Sequence, residues 1–143
     1  MTPRISALVF GLLLGAALAP ALASPQDAPT GKTLQKIDTV VGKGREVKPG
    51  SRITMHYAGW MFSPKQPKQH GLPIDNTPKG KPFTFVLGAP GVIKGWNEGL
   101  LGMKVGGKRT LVVPGEMAFG KLGMKQVPPN ANLIFDIDLV DVK

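Results

Sequence analysis

The chain contains no cysteine, and among its 143 residues it has only one tyrosine, two tryptophans, six phenylalanines and two histidines. Without cysteine there is no disulfide to staple the fold, so an oxidising compartment would neither help nor harm it. Thiol nucleophiles are excluded too, as is a lipid-modified cysteine after a leader. Serine chemistry fares no better, because no serine sits in a G-x-S-x-G elbow. Acidic residues number nine against eighteen basic ones, and the carboxylates offer no close inward-facing pair for general acid and base work. The histidines make a poor metal site: His56 falls on the outward face of a strand with no second ligand nearby, and His70 falls in a loop. No metal and no cofactor are expected. No apolar run reaches the roughly 20 residues that a spanning helix needs, so a membrane anchor is the lesser reading of the N-terminal segment.

A shorter apolar run is present. Arg4 precedes residues 5–18, and the run ends in Ala21-Leu22-Ala23, which together read as the positive region, apolar region and cleavage site of a secretory signal peptide. Cleavage is expected after Ala23, leaving no membrane span and placing the mature chain in the periplasm or outside the cell. The formal charge is +9, and of its positive members the leader carries only Arg4. Nucleic acid is a conceivable partner for such a chain. However, the lysines and arginines are scattered, from Lys43, Arg45 and Lys48 to Lys104, Lys108 and Arg109, without the interleaved aromatics of a stacking platform. We read them as a soluble basic surface and expect no nucleic acid.

The length suits one domain with a core supported by 42% hydrophobic residues. Residues 24–36 lack periodicity and read as a flexible mature N-terminus, with the domain running over 37–143. A short strand is expected at 37–41. From Arg52 the pattern alternates, with Ile53, Met55, Tyr57 and Gly59 on the inward face. Residues 63–82, with Pro64, Pro67, Pro73, Pro78 and Pro82, read as one long loop of the kind more often functional than structural. Residues 83–87 and 110–113 read as strands, 116–120 as one helical turn at most, and the last strand carries Leu133, Phe135, Ile137 and Leu139 inward with Asp136 and Asp138 outward.

Residues 92–109 organise the rest. Trp96, Leu100 and Met103 recur at helical spacing, bracketed by Gly95 and Gly102, and a helix of about two turns cannot stand alone in water. It must press its indole onto an apolar sheet. The architecture expected is α+β: a curved antiparallel sheet of about five strands wrapped around one short helix. Residues 102–108 also match the G-x-x-x-x-G-K part of a phosphate loop. The match fails because Arg109 stands where Ser or Thr should hold magnesium, and because the loop leaves a helix and enters a strand. What remains is a set of aromatic and branched residues at strand ends, Tyr57, Phe83, Val92, Ile93, Trp96, Phe119, Val127 and Phe135, able to line a pocket.

The motifs Met55-His56-Tyr57-Ala58-Gly59, Pro82-Phe83-Thr84-Phe85-Val86-Leu87-Gly88, Val92-Ile93-Lys94-Gly95-Trp96-Asn97-Glu98-Gly99-Leu100, Met103-Lys104-Val105-Gly106 and Pro128-Pro129-Asn130-Ala131-Asn132-Leu133-Ile134-Phe135 occur in this order. In sequence and spacing they resemble the FKBP-type peptidyl-prolyl cis/trans isomerases over residues 37–143. The resemblance implies a proline pocket with Trp96 at its floor and Tyr57, Phe83, Val92, Ile93 and Phe135 in its walls, the Ile93 backbone N–H receiving a substrate carbonyl. Asp75 matches the family's pocket-edge aspartate. Two departures stand out: Ile74 replaces an aromatic wall, and Phe119 replaces a tyrosine whose hydroxyl donates a hydrogen bond. Loop 121–127 is about one residue short, and Val127 is the pocket residue expected from it.

The resemblance implies an exported isomerase acting on proline-containing polypeptides, open to macrolide inhibitors of the family type, and a monomer or weak dimer. Ile74 and Phe119 instead favour a module or chaperone that holds proline segments with little catalysis. A third reading has the basic surface attracting anionic envelope components.

Overall fold

A computed structural model describes residues 31–143. The leader and most of the N-terminal tail read from the sequence lie outside the described residues. Among the described residues six strands form one antiparallel sheet: β1 (Gln35–Val40), β2 (Arg52–Phe62), β3 (His70–Asn76), β4 (Phe83–Val86), β5 (Lys108–Val113) and β6 (Leu133–Val142), with a single α-helix, α1 (Lys94–Gly99). The order across the sheet is β1-β5-β6-β2-β3, and β4 also pairs with β2. β2 is thus the hub. It aligns Tyr57 with Ile137 of β6 and Met55 with Phe83 of β4.

Strand β1 begins at Gln35, two residues before the expected start, because Gln35 and Lys36 already pair with Val112 and Leu111. β2 likewise runs past Gly59 to Phe62. The sixth strand lies inside 63–82, which the prolines had marked as one loop: a 3-10 turn at Pro67–Gln69 leads directly into β3. Pro73 does not break β3, since β3 is an edge strand where a missing N–H costs no ladder bond, and the β2–β3 register is bulged on either side of the Trp60–Pro73 pair. His70 is therefore the first residue of a strand, stacked on Trp60 with ring centres 3.6 Å apart.

The alternation in β6 is kept, with Leu133, Phe135, Ile137 and Leu139 all buried. Ile134 is also only 1% exposed, though it points to the opposite face. Helix α1 is shorter than the spacing suggests, and Gly95 lies inside it, not before it. The reason is contact. A Cβ at Gly95 would collide with the Val113 side chain, and one at Gly99 would come within 2.8 Å of Leu111 Cδ1. Both glycines let the helix backbone settle against β5. After β5, the expected turn near 116–120 is a 3-10 turn at Gly115–Met117.

Arg109 holds the far end of the helix. Only 7% exposed, it donates through Nη1 to the carbonyls of Gly99 (2.8 Å) and Leu101 (3.0 Å), orphans of the helix C-terminus. Its Nε donates to Asp38 Oδ1 of β1 at 2.6 Å. Trp96, Leu100 and Met103 then join Ile53, Met55, Leu111, Val113 and Leu139 in one core beneath the sheet. Among the described residues, no helix is long and apolar enough to cross a membrane.

Candidate functional site: an aromatic cup over Trp96

On the inner side of the sheet a cavity of about 440 Å³ opens to solvent. Every residue expected at the site lines it: Tyr57 from β2, Ile74 and Asp75 from β3, Phe83 from β4, Val92 and Ile93 before α1, Trp96 within α1, then Phe119, Val127 and Phe135. Trp96, 7% exposed, forms the base. The Tyr57 ring stands edge-on to it at 4.8 Å between centres, and Phe135 does so at 5.3 Å. Phe83 and Phe85 each lie 5.9 Å away at tilted angles. Such edge-to-face pairs are the arrangement that ring quadrupoles favour.

Backbone geometry explains how so few aromatics converge. The walls come from four strands whose alternate residues face the helix, and Gly59 leaves room for one of them: a Cβ there would lie 2.6 Å from the Phe135 ring. Tyr57 is pinned through its own backbone, since its N–H donates to Thr77 Oγ1 and its carbonyl accepts the Thr77 N–H. Asn97 Oδ1 accepts the Gly88 N–H at 2.8 Å, tying the 87–93 connection to the helix. The Ile93 carbonyl accepts the N–H groups of Trp96 and Asn97, whereas its own N–H has no acceptor among the described residues.

One polar device interrupts the apolar walls. The Tyr57 hydroxyl donates to Asp75 Oδ2 at 2.6 Å, and Asp75 Oδ1 accepts the Asn76 N–H at 2.8 Å. Burial pushes the Tyr57 pKa well above its ordinary value, and the hydrogen bond and then the charge of Asp75 push it further. The phenol therefore stays neutral and keeps donating. The Trp96 indole N–H is buried without a protein partner.

The site holds no pair of groups poised to move a proton to and from a substrate. Among the described residues no three His, Asp or Glu side chains gather as metal ligands. His56, on the other face of β2, is engaged with Thr77 Oγ1 at 2.9 Å. What the arrangement offers is a largely apolar slot for a small apolar ring, with the unpaired Ile93 N–H among its lining residues.

Four lining residues were not expected: Gly91, Met124, Lys125 and Gln126. The last three sit on the 121–127 loop, where nothing in the residue pattern distinguishes a lining position from an outward one. Phe85, which touches Trp96 from behind Phe83, was also missed, although its position in β4 two residues from Phe83 was a usable signal.

The family described as FKBP-type peptidyl-prolyl cis-trans isomerase matches residues 43–140. The FK506-binding protein 4 of Neurospora crassa is 43% identical over 106 residues, which are 74% of this chain and 21% of that protein. The 39 kDa FK506-binding nuclear protein of Drosophila melanogaster is 44% identical over 104 residues, 72% of this chain and 28% of that one. The chain thus spans between a fifth and a third of the length of these curated relatives. Among solved structures, FkpA from Escherichia coli superposes with a TM-score of 0.65 at 40% identity, covering 77% of this chain and 48% of that one. AtFKBP13 gives the same TM-score at 36% identity, covering 77% of this chain and 93% of that one.

Proposed function

The chain belongs to the FKBP-type peptidyl-prolyl cis-trans isomerase family, which catalyses that reaction, and from this premise we propose that it accelerates rotation about X-Pro bonds in the cup over Trp96. The observation that carries the reading is the enclosure of the Trp96 face by Tyr57, Phe83 and Phe135, a slot walled by rings on three sides and roomy enough to admit a prolyl ring.

An X-Pro bond turns over tens to hundreds of seconds against a barrier of about 20 kcal/mol that amide resonance creates. Twisting the bond removes the resonance and its charge separation, so a water-poor apolar site favours the twisted form over the planar one. Reaching milliseconds requires about 10⁴- to 10⁵-fold, roughly 6 kcal/mol, and needs neither acid nor base. The free Ile93 N–H would hold the substrate carbonyl in place while the bond turns. The neutral Tyr57 phenol, locked on Asp75, keeps one wall fixed.

Proline-containing polypeptides are the substrates of this reading, and macrolides of the kind the family binds are candidate inhibitors. Export, read from residues 1–23, would make the clients periplasmic or secreted proteins. A second reading rests on Phe119, which lines the cavity without the hydroxyl that the family's usual tyrosine brings. It makes the chain a holder of proline segments with slow turnover. A proline-limited peptide assay separates the two: acceleration by the wild type that Trp96→Leu removes supports the enzyme, and rates equal to buffer alone reject it.

A further inference from the structure

Lys125 and Gln126 form the corner of a two-residue turn at the mouth of the cup. Met124 N–H donates to the Val127 carbonyl at 2.8 Å, and Val127 N–H returns to the Met124 carbonyl at 2.9 Å. The base of the turn is fixed as well, since Gly123 N–H reaches the Phe119 carbonyl (3.2 Å) and Asn130 N–H reaches the Gly120 carbonyl (2.7 Å). Val127, 5% exposed, anchors the turn in the core. Lys125 is therefore carried on a braced tip, and its position at the cavity is set by the fold.

Charge at the lining is sparse. The Tyr57 phenol there is neutral, so besides Lys125 the one charged lining group is Asp75, and both of its oxygens are engaged, by the Tyr57 hydroxyl and by the Asn76 N–H. Lys94 pairs with Glu98 and Arg109 with Asp38, and His70 lies 3.4 Å from Asp136. Lys125 takes part in none of these contacts. An ammonium without a carboxylate partner stands beside an apolar cup, flanked by the exposed thioether of Met124. The ligand that satisfies both places a prolyl ring in the cup and an anion at its rim.

We propose that Lys125 gives this site a preference for proline segments carrying Asp or Glu within two residues of the proline, an inference that rests on the isomerase reading above. The ammonium acts by Coulomb attraction at an exposed rim, so the preference is modest and salt-sensitive. Lys125 selects the substrate and takes no part in bond rotation.

The test uses the full chain and short peptides of one sequence with Glu, Gln or Lys placed one or two positions on either side of the proline. Affinity is read from tryptophan fluorescence in a Trp60→Phe background, which leaves Trp96 as the one indole, and kcat/KM from proline-limited isomerisation. At low salt the Glu peptides should exceed the Lys peptides by about two- to fivefold in both readouts. The difference should vanish at about 0.5 M salt and reverse in Lys125→Glu. Lys121→Glu makes the same change in net charge four residues away and should leave the ranking intact. Equal affinities for all peptides, or an equal response to Lys121→Glu, overturn the assignment. Ranked affinities with no acceleration of any peptide uphold Lys125 as the selecting residue and reject the isomerase reading, so the two fail separately.

Discussion

The Tyr57 hydroxyl and the Asp75 carboxylate are 2.6 Å apart, and the phenol is the donor. Two adjacent strands, β2 and β3, thereby share a bond at the lip of the aromatic cup, and the wall they form cannot splay without breaking it. Because the bond needs a protonated phenol, it sets an alkaline limit on the site.

Tyr57 is the sole tyrosine of the chain, so phenolate absorbance reports on it alone. The folded protein should titrate well above the ordinary 10.0, and the urea-unfolded chain near it. A folded value raised above the unfolded one means that stability from this group is whole below about pH 10 and is lost as pH rises toward the folded value. Asp75→Asn removes the charge and should lower the folded midpoint, while burial keeps it above that of the unfolded chain. Coincident folded and unfolded titrations would contradict this account.

Trp96→Leu should cost about 1–3 kcal/mol of stability, less than the 3–5 typical of truncating a buried ring to alanine. Its effect on kcat/KM should be larger, at least about tenfold, because the base of the slot is lost while the sheet persists. Urea denaturation and peptide turnover on the same preparation check both figures.

Phe119→Tyr places a hydroxyl at the cavity lining. One neutral hydrogen bond is worth about 0.5–1.5 kcal/mol, so macrolide affinity and turnover should rise about two- to twelvefold. No gain in either would show that the added hydroxyl finds no acceptor on the ligand.

Gly95→Ala sets two effects against each other. Alanine should favour the helix by about 1 kcal/mol over glycine. The new methyl collides with Val113 in a packed core, which costs about 1–3 kcal/mol, and the net should be destabilising. In a Val113→Ala background the sign should turn, giving a coupling that a double-mutant cycle measures.

Arg109→Met should destabilise by about 2–4 kcal/mol, since it strands the Gly99 and Leu101 carbonyls and the Asp38 carboxylate together. Asp38→Ala should cost less, because that side chain is 42% exposed and both helix carbonyls keep their donor. Equal losses would place the weight on the ion pair and not on the helix end.

The residues that define the cup were legible because alternation in β2 and β6 and the spacing around Trp96 act over short stretches of chain. Tyr57 and Phe135 lie diagonally across the β2–β6 ladder, Tyr57 opposite Ile137 and Phe135 opposite Gly59, and the pattern could orient both although it could not pair them. The third edge of the sheet was not legible. Pro73 and the surrounding lysines mimic a loop, and only pairing with β2 makes the segment a strand. The role of Arg109 was hidden for a similar reason. Its basic head reads as surface charge until the fold brings Asp38 and the helix carbonyls, from opposite directions, to one place. Lys125 belongs to a turn whose shape depends on backbone bonds that no composition signals.

Strand β2 gives the cup Tyr57 from one face and sends His56 to Thr77 on the other, and it is paired on both flanks. Deleting a single residue upstream of Tyr57 within it would swap odd for even, turning an imidazole toward the indole and the phenol out to water. Loss of two residues would preserve parity and merely shorten the ladder. Length variation in this protein should therefore be tolerated by twos in that strand, and one at a time only at the loops.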